Sequence, residues 1–256
     1  MSELDIHRMI LLAVFVAAGA TFAATGLKTV PYGRHRSGGD GGFGIPERLG
    51  WVVMEAPCVF GFWWIFQQGG NKGELVPMVF LCMWMTHYVH RGIIYPLRKR
   101  VAAGKTLPLL MVVVPGFIFN SANAYLNARW ISALGPAYPI AWLWSFRFLY
   151  GALLFVTGFV INRWADYKLR TLRAPGETGY RIPRGGLYDE VSCPNYMGEL
   201  LQWIGFAIAT WSLSGAVFAV FTAANLVPRA VSHHLWYQRQ FPNYPRRRRA
   251  IIPYLL

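Results

Sequence analysis

An acid stands where an acid is costly. Glu55 lies inside the apolar run Trp51–Phe66, and His87, Tyr88, His90 and Arg91 crowd a second apolar run, Leu75–Leu97. An ionisable group at membrane depth costs several kcal/mol unless it is paired or protonated, so such groups mark functional sites by default. Helical spacing puts His87 and Arg91, four apart, on one face, and Tyr88 and Arg91, three apart, on a neighbouring one. The chemistry on offer is a carboxyl group beside a phenol, and a phenol held near a carboxyl group is a good donor to a substrate carbonyl. The plain alternative is an internal ion pair of Glu55 with Arg91 or a histidine that serves packing alone.

A second polar set follows later. Asn162, Asp166, Arg170 and Arg173 lead into Glu177, Tyr180, Arg181 and Arg184, and Asn195, Tyr196 and Glu199 open the next apolar run. Asn225, Arg229, His233, His234, Tyr237 and Arg248 follow. Arginines, asparagines and tyrosines gathered at one membrane face suit a phosphate-bearing nucleotide. Asp166 and Arg170, four apart, also read as an ordinary solvated pair, and Arg246–Arg249 as a lipid and topology anchor. His233 and His234 have no HExxH pattern or acidic third ligand beside them, so no metal is expected. No GxGxxG follows a strand and no GxxxxGK[ST] or GxSxG occurs, so a nucleotide would be held by helix ends and loops. Cys58, Cys82 and Cys193 form no CxxC pair and imply neither a disulfide framework nor zinc.

The elements that must carry these residues are membrane helices. Of 256 residues 55% are hydrophobic and only 14% charged, against about 25% charged in an average soluble domain. A span takes about 20 apolar residues, and seven candidates appear: Ile6–Leu27, Trp51–Phe66, Leu75–Leu97, Leu107–Ala124, Pro139–Ile161, Met197–Trp211 and Gly215–His234. A tight turn near Ser212–Gly215 separates the last two, and Asn225, Pro228 and Arg229 interrupt the seventh. The first run lacks the basic start and cleavage site of a signal peptide and is taken as a span.

Twenty of the 25 lysines and arginines fall in the odd-numbered connections and the C-terminal tail; only Lys72 and Arg129 fall in the even ones. That asymmetry predicts seven spans, a cytoplasmic C-terminus and an N-terminus on the other side. The net charge of +14 is spread between apolar runs, which suits anionic lipid or an anionic cofactor and not nucleic acid. The fold expected is all-α, a single domain over 1–256 without internal repeat. The Gly-rich stretch Ser37–Gly44 reads equally as a connector or a gate.

Several motifs resemble the membrane steroid 5α-reductases. They are Pro31-Tyr-Gly-Arg-His35, Trp51-Val-Val-Met-Glu-Ala-Pro57, His87-Tyr-Val-His-Arg91 with Tyr95, Leu169-Arg-Thr-Leu-Arg-Ala-Pro-Gly-Glu-Thr-Gly-Tyr-Arg-Ile-Pro183 with Gly185-Gly-Leu-Tyr188, and Asn195-Tyr-Met-Gly-Glu199 with Trp203. The tail from Arg229 to Tyr237 and from Tyr244 to Pro253 completes the match, which runs from residue 31 to the C-terminus. The block from Pro175 through Leu187 is the most specific; the C-terminal half alone shares its general form with isoprenylcysteine methyltransferases and several sterol reductases.

The resemblance implies seven transmembrane helices and hydride transfer from NADPH to the Δ4 bond of a 3-oxo-steroid. It implies that Glu55 and Tyr88 bind the C3 carbonyl, with Glu55 either acting as the acid form or orienting Tyr88. It carries over as the NADPH set Tyr32, Arg91, Tyr95, Asn162, Asp166, Arg170, Arg173, Tyr180, Asn195, Glu199, Arg229, His233, Tyr237 and Arg248. Residues 1–106 would form the steroid side and 107–256 most of the NADPH site, in a monomer whose substrate arrives through the lipid. Met54 departs from family members that have a glutamine before the glutamate, and Gln202 stands where a glutamate is expected. Alternatives are a membrane reductase of another lipid enone or a sterol or polyprenol alkene, or a sterol-binding protein without catalysis.

Overall fold

The computed structural model describes residues 1–27, 43–99, 101, 104–172, 177 and 179–256. Among these, seven long helical stretches account for most of the chain: α1 Glu3–Leu27, α2 Glu47–Gln67, α3 over 75–98, α4 Leu109–Leu134, α5 Phe146–Thr171, α6 Pro194–Thr210 and α7 Leu213–Gln240. A two-stranded antiparallel ribbon, β1 Gly44–Pro46 on β2 Thr106–Pro108, ties the start of α2 to the start of α4. Short 3₁₀ turns occupy Ile140–Trp144 and Gly186–Asp189. All-helical structure is what a bilayer demands, because each helix satisfies its own backbone donors and acceptors.

Five helices (α1, α2, α4, α5 and α7) are long and apolar enough to cross a membrane. The chain is an integral membrane protein. The other two helices coincide with the third and sixth expected spans. In α3 the string His87, Tyr88, His90 and Arg91 dilutes the apolar run, and α6 has only 17 residues.

Several expected boundaries move. The fourth span does not stop near Ala124 but continues to Leu134, so Asn127 and Arg129 are helical. The fifth helix begins at Phe146, capped by the Ser145 hydroxyl that accepts from the Phe148 amide at 3.2 Å, and reaches Thr171. Asp166 and Arg170 therefore stand on the end of this helix, as their i, i+4 spacing suggests, and Asn162 stands on it with them. Pro228 does not interrupt α7, which is continuous to Gln240; neighbouring helices in a bundle tolerate the freed carbonyl. The turn at Ser212 forms as expected: Trp211 takes a left-handed conformation and the Ser212 hydroxyl caps Gly215 at 3.0 Å.

Three helices contain π-turns: Pro57–Gly61 in α2, His90–Ile94 ahead of Pro96 in α3, and in α4 both Leu109–Val113 ahead of Pro115 and Trp130–Leu134 ahead of Pro136. Proline lacks an amide hydrogen and crowds the carbonyl four residues before it, and a wider turn relieves both problems. The first starts two residues after Glu55 and the second contains Arg91.

The closest packing joins α5 to α6. Gly151 and Gly158 of α5 face Gly205 and Gly198 of α6, and a β-carbon at any of the four would run into backbone of the opposite helix. Small residues let membrane helices approach this closely where no hydrophobic effect drives them together. At the centre of the bundle, Trp84 stacks on Phe62 with ring centroids 4.3 Å apart and also meets Tyr88, Trp203, Phe206 and Phe218. Helix α1 lies along α7 and is pinned by polar contacts: Glu3 to Arg129 at 2.6 and 2.7 Å, and His7 Nε2 to the Leu126 carbonyl at 3.0 Å.

Candidate active site

Glu55 comes from α2, one turn before the aromatic core, and Tyr88 from α3, with its ring inside that core. Both are buried, and both line a cavity of about 340 Å³, within the range of small-molecule sites. Its walls are mostly apolar, with Trp51, Met54, Phe119, Phe218 and Phe221, and its polar groups are few and convergent: Glu55, His87, Tyr88, Arg91, Asn120, Glu199, Asn225 and Arg229. Residues before and after position 106 both contribute.

The Glu55 carboxylate is held from two sides. Arg91 Nε lies 3.5 Å from Oε1, and the Asn120 amide of α4 donates to Oε2 at 3.2 Å. The same Asn120 amide donates to the Met54 carbonyl at 2.7 Å, which fixes it as the donor end. The ion pair weighed against catalysis is therefore present, yet it lines a cavity instead of filling a core. Arg91 is framed by the rings of Trp51 and Tyr95, 4.9 and 5.7 Å from their centroids, and feels Glu199 and Asp166 as well as Glu55. The His87 Nδ1–H donates to Gln202 Oε1 at 3.0 Å. Gln202 thus orients His87, an effect that the loss of a charge at this position did not suggest. The Tyr88 hydroxyl accepts from Asn123 Nδ2 at 3.5 Å.

Arg91, Glu199 and Arg229, expected for a nucleotide, share this cavity with Glu55 and Tyr88. The other described ones lie outside its lining. Asn162, Asp166 and Asn195 join at the α5–α6 seam: Asn162 donates to the Asn195 carbonyl at 2.8 Å, and Asn195 donates to Asp166 at 3.3 Å. The charged partner of Asp166 is Arg163 at 3.9 Å, not Arg170, whose guanidinium rests 5.4 Å from the Tyr167 ring. Arg229 lies over Tyr196, whose hydroxyl meets His233 Nε2 at 3.2 Å. Tyr180 stands edge-on to Trp236 at 4.9 Å. Tyr32 and Arg173 fall outside the described residues, as does most of Ser37–Gly44. Among the described residues no group of histidine, cysteine or acidic side chains could hold a metal ion.

Arg248 is brought in by the tail. The Ser192 and Cys193 amides donate to the Arg249 and Ala250 carbonyls at 2.8 and 3.1 Å, laying the tail along the segment before α6. Arg248 is 1% exposed, 5.2 Å from the Tyr244 ring and 3.6 Å from Asp189, and Tyr244 stacks on Tyr237. All three guanidinium nitrogens of Arg248, and Nε and Nη1 of Arg163, lack a hydrogen-bond partner among the described residues. Buried guanidinium donors of this kind call for an anion, and a phosphate fits them.

Three asparagines went unnoticed in the sequence. Asn120, Asn123 and Asn127 recur at helical spacing along α4 and are all buried. The rule that singled out Glu55 applies to amides too, though less steeply than to charges. Arg163 and Ser192 were also missed; the Ser192 hydroxyl joins His234 Nδ1 and the Tyr244 hydroxyl, each at 2.6 Å.

Residues 105–256 match the family model described as 3-oxo-5-alpha-steroid 4-dehydrogenase. The whole chain aligns with a steroid 5-alpha-reductase of Solanum lycopersicum at 40% identity, over 99% of this chain and 98% of that one. This chain belongs to the 3-oxo-5-alpha-steroid 4-dehydrogenase family. Similar proteins include the 3-oxo-5-alpha-steroid 4-dehydrogenase 1 of Rattus norvegicus, 40% identical over 99% of this chain and 98% of its own, and that of Homo sapiens, 40% identical over 95% and 90%. The family is one of oxidoreductases, and the buried guanidinium nitrogens that lack hydrogen-bond partners among the described residues are consistent with a nicotinamide cofactor. The motif resemblance is thereby confirmed at the level of family. Within this candidate site, Met54 packs its thioether against Gly116 and supplies apolar wall in place of an amide.

Proposed function

We propose that the protein reduces the Δ4 double bond of a 3-oxo-Δ4-steroid to the 5α-3-oxosteroid with NADPH as reductant. The observation that carries this reading is the convergence of Glu55, Tyr88, Arg91, Glu199 and Arg229 on one largely apolar cavity in a chain of this family.

Bound NADPH would supply the hydride that goes to C5. As that bond forms, the Δ4 electron pair shifts into a C3–C4 double bond and the carbonyl pair moves onto the C3 oxygen. The Tyr88 hydroxyl donates a hydrogen bond to that oxygen and stabilises the enolate-like charge. A proton then reaches C4 and restores the ketone. Glu55 has both oxygens engaged by Arg91 and Asn120, so it serves as the orienting acceptor of the carbonyl site. The aromatic wall of Phe119, Phe218 and Phe221 would keep water from the steroid rings.

Arg163 and Arg248 suit the cofactor phosphates, and Asn162, Asp166 and Asn195 its hydroxyl or amide groups. Tyr32, Arg91, Tyr95, Arg170, Arg173, Tyr180, Glu199, Arg229, His233 and Tyr237 complete the proposed set. Most of it falls in residues 107–256, with the steroid side drawn chiefly from 1–106.

In the membrane, α3 and α6 join the five apolar helices as spans, giving seven. The basic connections, the C-terminus and the NADPH site then face the cytoplasm and the N-terminus faces away. The protein works as a monomer on a substrate entering from the bilayer.

The test is purified protein in detergent with testosterone and NADPH. Loss of the reduced-nicotinamide absorbance with a 5α-reduced product is expected. NADPH binding without turnover of any steroid enone would instead favour another lipid enone or a sterol or polyprenol alkene, a reading to which the Met54 wall lends weight. Failure to bind NADPH would rule out both.

A further inference from the structure

Helix α4 carries a row of buried amides whose hydrogen bonds run in one direction. Asn127 Nδ2 lies 3.1 Å from the backbone carbonyl of Asn123 and 2.9 Å from its side-chain oxygen. A backbone carbonyl only accepts, so this end of Asn127 is its NH₂. The Asn123 atom beside it must then be an acceptor, Oδ1, because turning that amide over would set two NH₂ groups against each other. Asn123 Nδ2 therefore points the other way, to the Tyr88 oxygen at 3.5 Å. Asn123 and Asn127 are each 1% exposed, so bulk water does not compete.

A phenol that accepts from one side keeps its own proton for another. Among the described residues, the Cys58 thiol is a protein partner of the Tyr88 hydroxyl, a weak acceptor whose own S–H is directed to the Asn120 carbonyl at 3.5 Å. A carbonyl oxygen arriving in the cavity is the stronger acceptor.

We infer that Asn127 and Asn123 are positioning residues forming a one-way hydrogen-bond relay that commits the Tyr88 hydroxyl proton to the substrate carbonyl. This rests on the proposed reading that Tyr88 is the donor to that carbonyl. Each bond in such a chain polarises the next, so the relay also makes Tyr88 a better donor.

Steady-state kinetics with testosterone and NADPH, in the parent and in a Tyr88→Phe background, test the relay. Asn123→Leu should lower kcat about tenfold in the parent, the change expected from one lost hydrogen bond, and by less than about twofold in the Tyr88→Phe background, where no proton remains to direct. NADPH affinity should hold in both. An equal fractional loss in the two backgrounds would mean that Asn123 is merely structural and would overturn the relay. If Asn123→Leu does not accumulate, Asn123→Asp preserves the volume and replaces the donor by an acceptor that takes the Tyr88 proton. Its kcat should fall at least as far, and an unchanged kcat overturns the relay. Tyr88→Phe turning over as fast as the parent overturns the reading beneath it; slow Tyr88→Phe with fast Asn123 variants overturns the relay alone.

Discussion

Tyr88→Phe deletes one oxygen and leaves the ring in place against Trp84 and Trp203. Turnover should fall about a hundredfold, in line with loss of one donor to a developing oxyanion, while NADPH affinity measured by fluorescence titration stays within a factor of two or so. Equal loss of both would make Tyr88 a cofactor ligand or a packing residue. Arg248→Ala removes a buried cation whose nitrogens have no hydrogen-bond partner among the described residues. It should weaken NADPH binding by about tenfold or more and flatten the salt dependence of that binding; unchanged affinity would assign Arg248 to packing on Tyr244. Glu55, Tyr88 and Arg91 were legible in the sequence because charged and phenolic groups stand out against apolar surroundings. Asn120, Asn123 and Asn127 were not, since a neutral amide disturbs a hydropathy pattern far less. The Asp166–Arg170 spacing suggested the wrong partner: Arg163, a residue on the other side of Asp166, faces it instead.

At the scale of elements, glycine faces decide how α5 and α6 meet. Gly158→Leu would force a side chain into the Gly198 carbonyl and the Gln202 amide. The helices would have to separate, and overpacking of this kind costs about 1–3 kcal/mol or more. The expected result is a lower melting temperature in detergent, and weaker NADPH binding as the Asn162–Asn195 bond across the seam breaks. A melting temperature and affinity equal to the parent would show that the seam has slack. The seven apolar runs could be read from the sequence because their number and order rest on hydropathy. Their ends could not: the extension of α4 to Leu134 and the start of α5 at Phe146 depend on caps and packing. The π-turns were equally hidden. Prolines at 57, 96 and 115 announce a disturbed helix, but only the fold shows that the disturbance is absorbed as one wide turn and not as a break. These turns set the angular relation between Glu55 and the residues after Pro57, and between Tyr88 and Tyr95.

For the whole molecule, the one-sided charge distribution makes a topological prediction. Single cysteines introduced at Ser2 and at Arg239, in a background with the native cysteines replaced, should react with a membrane-impermeant maleimide from opposite sides of intact cells. Labelling from the same side would exclude an odd number of spans. The asymmetry itself was plain in the sequence. What the sequence did not reveal is how it is shared out: Arg248, one of four adjacent arginines, is buried, whereas Arg247 beside it is largely exposed, its side chain 73% accessible. A run of identical residues carries no mark of which member turns inward; the stacking of Tyr244 on Tyr237 and the pairing of the tail with residues 190–193 select it.

That pairing has a bearing on biosynthesis. Residues 189–193 precede α6, whereas their partners at 248–250 follow α7, so two helices must be made between one half of the contact and the other. Until then the newly made bundle holds Tyr88 and Glu55 but lacks the clasp that seats Arg248. A nascent chain arrested after α7 would lack this contact. The order of translation thereby delays the seating of Arg248 until both helices have been made.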